Sequence, residues 1–285
     1  SLDPHYDASV EQSYMEQIYK TIKSMGHGAF GVVYKAQHKF DNKLYAIKKI
    51  KNPLRTLTYD QKYDEMINYE KIGYHTNILK YYMAWEENDE VHLVLELSQM
   101  DLSDYMLHKN TRKLPESFLW DLLYDMCKAI QHLNSKSMVH HDIKETNIVL
   151  HGNCFKLVDF GNILELPPEE ESETEGATAK RARPGSYSHK RDMYNLGGTL
   201  QKMMVFRECY NPQWMRETES ADRPSPEDIL NLQEMEEVER RWISGERQVY
   251  TTINIENIQG CWAETQEKEN SSDTLNLPSC SNSGL

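Results

Sequence analysis

The stretch Val139-His140-His141-Asp142-Ile143-Lys144-Glu145-Thr146-Asn147-Ile148, followed 17 residues after Asp142 by Asp159-Phe160-Gly161, decides how the rest of the chain reads. It is a short polar loop between apolar flanks, carrying Asp142, a lysine two positions on and an amide three further. These residue types, in this order, suit transfer of a phosphoryl group to a hydroxyl. Asp142 would accept the proton of the hydroxyl and Lys144 would steady the group in transit. Asn147 and Asp159 would hold magnesium between phosphates. Such a transfer asks mainly for positioning and charge neutralisation, so a few well-placed groups suffice.

Upstream, Gly26-His27-Gly28-Ala29-Phe30-Gly31-Val32-Val33 lies between two strand-like runs. Glycines there let backbone N–H groups approach phosphate oxygens with no Cβ in the way. A glycine-rich hairpin turn is the plain alternative. The strand–turn–strand setting disfavours a dinucleotide-binding fingerprint, which needs a helix next. Lys48 ends Tyr45-Ala46-Ile47-Lys48 one strand later, where it can reach phosphates under the glycine loop. Lys49 points to the other face, because strand side chains alternate. A buried lysine needs a carboxylate partner. Glu65 on the following helix is the candidate, with Glu70 as the alternative.

Outward from these motifs, residues 1–19 read as a polar lead-in with scattered aromatics (Tyr6, Tyr14, Tyr19). Thr21 to Ile50 is strand-like, with a polar turn at Asp41-Asn42, and Tyr59 to Gly73 has a helical period that glycine stops. Two more strands are expected, Ile78 to Trp85 and Val91 to Leu97, joined by the acidic turn 86–90. Leu119, Leu122, Leu123, Met126, Ile130 and Leu133 repeat at three- and four-residue steps, the mark of one core-facing helix. Strands first and helices later predict an α+β, bilobal architecture: a small β-rich lobe over 20–97 with one helix, and a larger helical lobe over 98–245. The acidic run 169–176 and the basic run 180–183 read as a mobile loop. Residues 246–285 read as a polar tail, disordered from about Thr265.

With 45 Asp plus Glu against 32 Lys plus Arg, the net charge is −13, which repels phosphate backbones, so nucleic acid is not an expected partner. No apolar run approaches the roughly 18–20 residues that span a bilayer. Ser1 to Tyr6 has no basic cap or apolar run, so this stretch does not read as a signal peptide. Cys127, Cys154, Cys209, Cys261 and Cys280 are odd in number and scattered, which points to a reducing compartment, cytoplasmic or nuclear, and to no zinc site.

The assembled motifs resemble those of eukaryotic protein kinases over about residues 20–245. Gly26, Gly28 and Gly31 match the glycine-rich loop, Lys48 the V-A-I-K lysine, Asp142 and Asn147 the catalytic loop, and Asp159 the D-F-G aspartate. The resemblance implies ATP and Mg2+ as cofactors, a protein substrate, Lys48, Glu65, Asp142 and Lys144 as catalytic groups, and Asn147 and Asp159 as metal ligands. It extends nucleotide contact to Met25, Gly26, His27, Gly28, Ala29, Phe30, Gly31, Val33, Ala46, Lys48 and Val149. Leu95 falls at the gatekeeper position, which puts adenine against the backbone of Glu96 and Ser98. Plain core packing is the simpler reading of the apolar members, and both can hold.

A narrower resemblance is to the Wee family, in particular its membrane-associated, tyrosine- and threonine-directed branch. It is carried by Met25-Gly26-His27-Gly28, Leu44-Tyr45-Ala46-Ile47-Lys48, Tyr69-Glu70-Lys71-Ile72-Gly73-Tyr74-His75, Ala84-Trp85-Glu86-Glu87 and by His141 in the catalytic triplet. Glu65, ten residues before His75, has the spacing of that family's helix glutamate. The family implies phosphorylation of threonine and tyrosine in the glycine-rich loop of a cyclin-dependent kinase bound to its cyclin, which blocks mitosis. Tyr81-Tyr82-Met83-Ala84-Trp85 also resembles kinases of a translation-initiation factor, and Asp101-Leu102 with Val139–Asp142 the dual-specificity spindle-checkpoint kinase. A nucleotide-binding scaffold without catalysis is the remaining alternative.

The chain departs from the kinase pattern in two places. No A-P-E follows Asp159-Phe160-Gly161; Ala182-Arg183-Pro184-Gly185-Ser186-Tyr187 stands there instead. Arg223, which matches the arginine that usually pairs with the A-P-E glutamate, therefore needs another acidic partner or faces solvent. Only about 30 residues separate Asp192, which matches the buried aspartate behind the catalytic loop, from Arg223, so a helix is expected to be missing. His141 stands where most kinases carry an arginine that clamps an activation-loop phosphate, and histidine, mostly neutral near pH 7, clamps poorly. Alanine at Ser172, Thr174 and Thr178 together should therefore leave the transfer rate nearly unchanged; a large drop in a steady-state assay would contradict this.

Overall fold

Side chains alternate along β1 (Tyr19–Gly28), β2 (Gly31–His38) and β3 (Leu44–Ile50), and the three pair as an antiparallel meander. The computed structural model describes residues 2–28, 31–50, 62–109, 114, 116–166, 190–204, 215–216 and 222–247. Ala29 and Phe30, the runs 169–176 and 180–183, Ala182 to Tyr187 and the tail from 248 lie outside these. Gly31 is required by close approach: a Cβ there would sit 2.0 Å from the Lys49 carbonyl oxygen. After β3 comes α2 (Asp64–Ile72), which Gly73 ends at φ 70°. Then β4 (Tyr81–Glu87) and β5 (Glu90–Glu96) complete a five-stranded sheet in the order β1-β2-β3-β5-β4. The β4–β5 turn is Asn88-Asp89 at φ 54° and 61°, the two-residue type that matches strand twist.

The residues read as a lead-in belong to the body of the protein. Ser13 and Glu16 form a reciprocal capping box that starts α1 (Tyr14–Ile18). Tyr14, Ile18 and Tyr19 are buried against Ala36, Ile47, Val94 and Trp85. Tyr14 meets the Trp85 ring at 4.8 Å, and Tyr19 stacks on it at 5.9 Å. The N-terminal segment thus covers one face of the sheet and leaves the other for chemistry. The expected strand from Ile78 begins at Tyr81 instead, because Leu79 N–H donates to Leu157 O (3.0 Å) and Ile78 bridges to Leu157 in the second lobe.

The second lobe is built on α4 (Glu116–Asn134), following β6 (Met100–Asp101) and α3 (Leu102–Lys109). Its apolar stripe is buried at each position the periodicity marks, from Leu119 to Leu133. β7 (Met138–Val139), β8 (Ile148–His151), β9 (Cys154–Leu157) and β10 (Leu164–Glu165) carry the catalytic loop and its flank. The helices α5 (Lys190–Met204), α6 (Pro226–Leu230) and α7 (Gln233–Ile243) follow. Arg247, inside the span read as a tail, is buried and pairs with Asp125 (2.8 Å) and Asp121 (3.2 Å) on α4. That ion-paired core is invisible to a reading based on local polarity. Among the described residues no helix is long and apolar enough to cross a membrane.

His75, just past α2, stacks on His132 of α4 with ring centroids 4.7 Å apart, and the His132 Nε2 lies 2.9 Å from Ile72 O. This pair ties the first lobe to the second. Burial, helped by His132 and by Lys128 and Lys156, lowers the His75 imidazole to about 4. The unfolded chain then binds the extra proton more readily than the folded one between about pH 6.5 and 4, so stability falls as pH falls through that window. His75→Phe should flatten the decline of Tm between pH 7 and 4.5; an unchanged slope would contradict it.

Candidate active site

Register places the site on the sheet face opposite the N-terminal segment. Val33 on β2 and Leu93 on β5 are the cross-strand partners of Lys48, and Leu95 is the partner of Ala46. Directly opposed residues share a face, so Val33, Ala46, Lys48, Leu93 and Leu95 line one surface. Lys49 faces away and pairs with Glu90. Lys48 Nζ lies 2.6 Å from Glu65 Oε2 and 2.7 Å from Asp159 Oδ1. Glu65 is thus the partner that α2 supplies, and Glu70 on the same helix is exposed. Burial would depress the Lys48 ammonium, but Glu65 and Asp159 more than offset it and hold the group above its ordinary value. Burial likewise raises Glu65 against the pull of Lys48. Asp159 ends below its ordinary value, because Lys48 outweighs its burial.

The catalytic loop hangs from α5. Asp192, fully buried, accepts the His140 N–H (2.7 Å) and the His141 N–H (2.8 Å), and Asn195 donates to His141 O (3.0 Å). These bonds support His141 at φ 69°, a left-handed conformation that β-carbon residues adopt at a cost. In the loop so held, Asp142 Oδ2 accepts from Lys144 Nζ (2.6 Å) and Asn147 Nδ2 (3.1 Å), and Asn147 also donates to Asp142 O (2.8 Å). Turning its amide nitrogen to Asp142 leaves Asn147 Oδ1 with no protein partner among the described residues, and Asp159 Oδ2 is likewise unengaged. Two hard oxygens left over fit magnesium. No cluster of three His, Cys, Asp or Glu side chains with metal-holding geometry exists among the described residues.

Reading from local motifs missed a column of rings joining the two halves. Tyr81 on β4 stacks on Tyr69 of α2 (5.3 Å), Tyr69 meets Phe160 edge-on (4.9 Å), and Phe160 meets His140 edge-on (5.2 Å). Asn68 donates to Phe160 O (2.7 Å), and the His140 Nε2 lies 3.0 Å from Val158 O. Asn68 and Tyr69 follow Glu65 by three and four residues, so helix spacing alone puts them on the Glu65 face. Asp159 itself sits at φ 70°, ψ 72°, which turns its carboxylate toward Lys48 while Phe160 is buried.

The remaining sequence candidates surround this centre. Ala46 and Val149 are buried, Met25 and Val33 half-buried, and Gly26 pairs with Val33 across the β1–β2 ladder. His27 and Gly28 pair with Val32 and Gly31 in the same ladder. At the inter-lobe link, Glu96 spends its N–H on Lys80 O (2.8 Å), and its carboxylate is held by Lys156 (2.6 Å) and His151 (3.2 Å) from the second lobe. Ser98 is half-buried beside it. Lys156 is a lysine that strand alternation alone did not single out.

Removing one member of a buried ion pair strands the others. Lys48→Met should cost about 3–5 kcal/mol in urea unfolding and abolish transfer. Lys48→Met with Glu65→Leu should regain most of that stability and none of the activity. A single variant as stable as the parent would contradict the pairing.

The protein kinase domain family matches residues 19–271. Among similar proteins, the membrane-associated tyrosine- and threonine-specific cdc2-inhibitory kinase wee-1.3 of Caenorhabditis briggsae is 35% identical over 204 residues, which cover 69% of this chain and 30% of that protein. Its Caenorhabditis elegans counterpart is 34% identical over 203 residues, with the same coverage. The membrane-associated tyrosine- and threonine-specific cdc2-inhibitory kinase of Drosophila melanogaster is 26% identical over 216 residues, 73% of this chain and 40% of that one. The chain thus spans about a third of the length of these relatives. Together with Lys48 bound to Glu65 and Asp159, and Asp142 held beside Lys144 and Asn147, the match places this chain in the protein kinase family, as a kinase of the Wee type.

Proposed function

We propose that this kinase uses ATP with Mg2+ to phosphorylate tyrosine, threonine or both in a cyclin-dependent kinase bound to its cyclin, and so holds back mitosis. The observations that carry the catalytic part are the Lys48–Glu65–Asp159 cluster and the Asp142 oxygen that Lys144 and Asn147 fix in place. Asp142 takes the proton of the acceptor hydroxyl. Lys144 keeps positive charge beside the phosphoryl group as it moves, and Lys48 orients the phosphates from the other side. Asn147 Oδ1 and Asp159 Oδ2 would hold Mg2+, which supplies neutralisation of phosphate charge. Val33, Ala46 and Leu95 from the sheet and Val149 from β8 would enclose the purine.

The substrate rests on the activity for which the similar proteins are named and on the motifs shared with the Wee family. The reading places the kinase in the cytoplasm, the nucleus or both. Radiolabelled phosphate transfer to an intact cyclin–kinase complex, with the modified residues mapped, tests it. Label on the substrate's glycine-loop threonine or tyrosine, absent with Asp142→Asn, is expected. Label on an initiation factor, and none on the cyclin-bound kinase, would overturn the substrate while leaving the chemistry.

A further inference from the structure

Three arginines gather around one ring behind the catalytic loop. The guanidinium carbons of Arg216 and Arg223 each lie 4.8 Å from the Tyr194 ring centroid, and that of Arg191 lies 5.8 Å away. Arg216 spends its two terminal nitrogens on neutral acceptors, Tyr194 Oη (3.1 Å) and Gln201 Oε1. The Nε atoms of Arg191 and Arg216 are buried and meet no acceptor. Neither arginine has a carboxylate partner among the described residues. Arg223 has further contacts of its own, so the site depends chiefly on the other two.

This gathering is built rather than incidental. Gly197 and Gly198 on α5 seat the segment that carries Arg216: a Cβ on Gly197 would come within 2.8 Å of Met215 Cβ and 2.9 Å of Arg216 Cγ. Met215 is wholly buried, which fixes the backbone from which Arg216 reaches. Like charges brought together, with donors cut off from water, are costly until an anion joins them. The ring face of Tyr194 offsets part of that repulsion. Its hydroxyl feels the same field, since the hydrogen bond from Arg216 and the charges of Arg216, Arg223 and Arg191 pull it below its ordinary value.

We propose that Arg191, Arg216 and Arg223 around Tyr194 form an anion site that binds a phosphorylated side chain. A phosphomonoester offers three oxygens and close to two charges, which suits several planar guanidinium forks better than one carboxylate does. The site lies on the helix turn that anchors the catalytic loop: Tyr194 is flanked by Asp192, which holds the His140 and His141 N–H groups, and by Asn195, which holds the His141 carbonyl. A phosphoprotein bound there is docked behind the loop that acts on its hydroxyl. The inference stands on binding geometry and is independent of which protein is the substrate.

The test uses the whole chain with its nucleotide site filled by Mg2+ and a non-hydrolysable ATP analogue, titrated with phosphoserine and with inorganic phosphate. Saturable one-to-one binding is expected, weakened about tenfold or more in Arg191→Gln/Arg216→Gln and weakened less in Arg191→Lys/Arg216→Lys, which keeps the charge and loses the planar fork. In the unaltered protein, the arginine Nε–H resonances of Arg191 and Arg216 should shift on titration, which reads the site without any variant. No saturable binding up to about 20 mM, or equal affinity in the glutamine variant, would overturn the proposal. Phosphatase treatment separates the sources: a rise in affinity for added phosphoserine means that a phosphate on this chain had filled the site, and no change means that the ligand comes on another protein.

Discussion

One ammonium group, that of Lys48, holds the two halves of the catalytic centre together. It sits between a carboxylate from α2 and one from the turn after β9, 2.6 and 2.7 Å away. Three independent placements have to coincide for this contact to exist. The β3 register must turn Lys48 to the face opposite the N-terminal segment, α2 must start where Glu65 reaches it, and the backbone at Asp159 must take a left-handed conformation. A buried cation without both acids would be driven to lose its proton or to swing toward water. Order in the sheet, the helix and the turn is therefore linked through a single charge.

The rest of the centre follows from that link. Phe160, the next residue after Asp159, is buried between Tyr69 and His140, and Asn68 takes its carbonyl. The column continues to Asp192, whose two oxygens pin the backbone of the loop carrying Asp142. A movement of α2 away from the sheet would break the Lys48 pair and unstack Tyr69 together, so the cation and the acid base are not free to vary separately. The strain at His141 and Asp159 is held by these neighbours, in keeping with left-handed residues at functional positions.

What could be read from the sequence is what chemistry forces into short fixed spacings. Asp142, Lys144, Asn147 and Asp159 were legible because the loop has to present them together, and Lys48 because strand alternation separates it from Lys49. The choice between Glu65 and Glu70 needed the direction of a helix face in space. Contacts that cross the chain left no local mark: Tyr14 and Ile18 look like residues of a polar segment until Trp85 is placed beside them, and Arg247 looks like tail until Asp121 and Asp125 surround it. Ile78 and Leu79 have strand composition, yet they join β9 rather than β5 because the lobes meet there. The missing A-P-E was visible as an absence, but only the structure shows Arg223 lying over the Tyr194 ring.

The central claim is that this centre is chemically complete even though the chain lacks an A-P-E motif. The direct measurement is transfer of the γ-phosphoryl group of Mg-ATP to any acceptor, this chain included, by the purified protein and by Asp142→Asn, with nucleotide affinity measured for both. The account predicts transfer by the parent, none by the variant, and equal nucleotide binding by the two. Equal nucleotide binding with no transfer by either would contradict it and make the chain a nucleotide-binding scaffold.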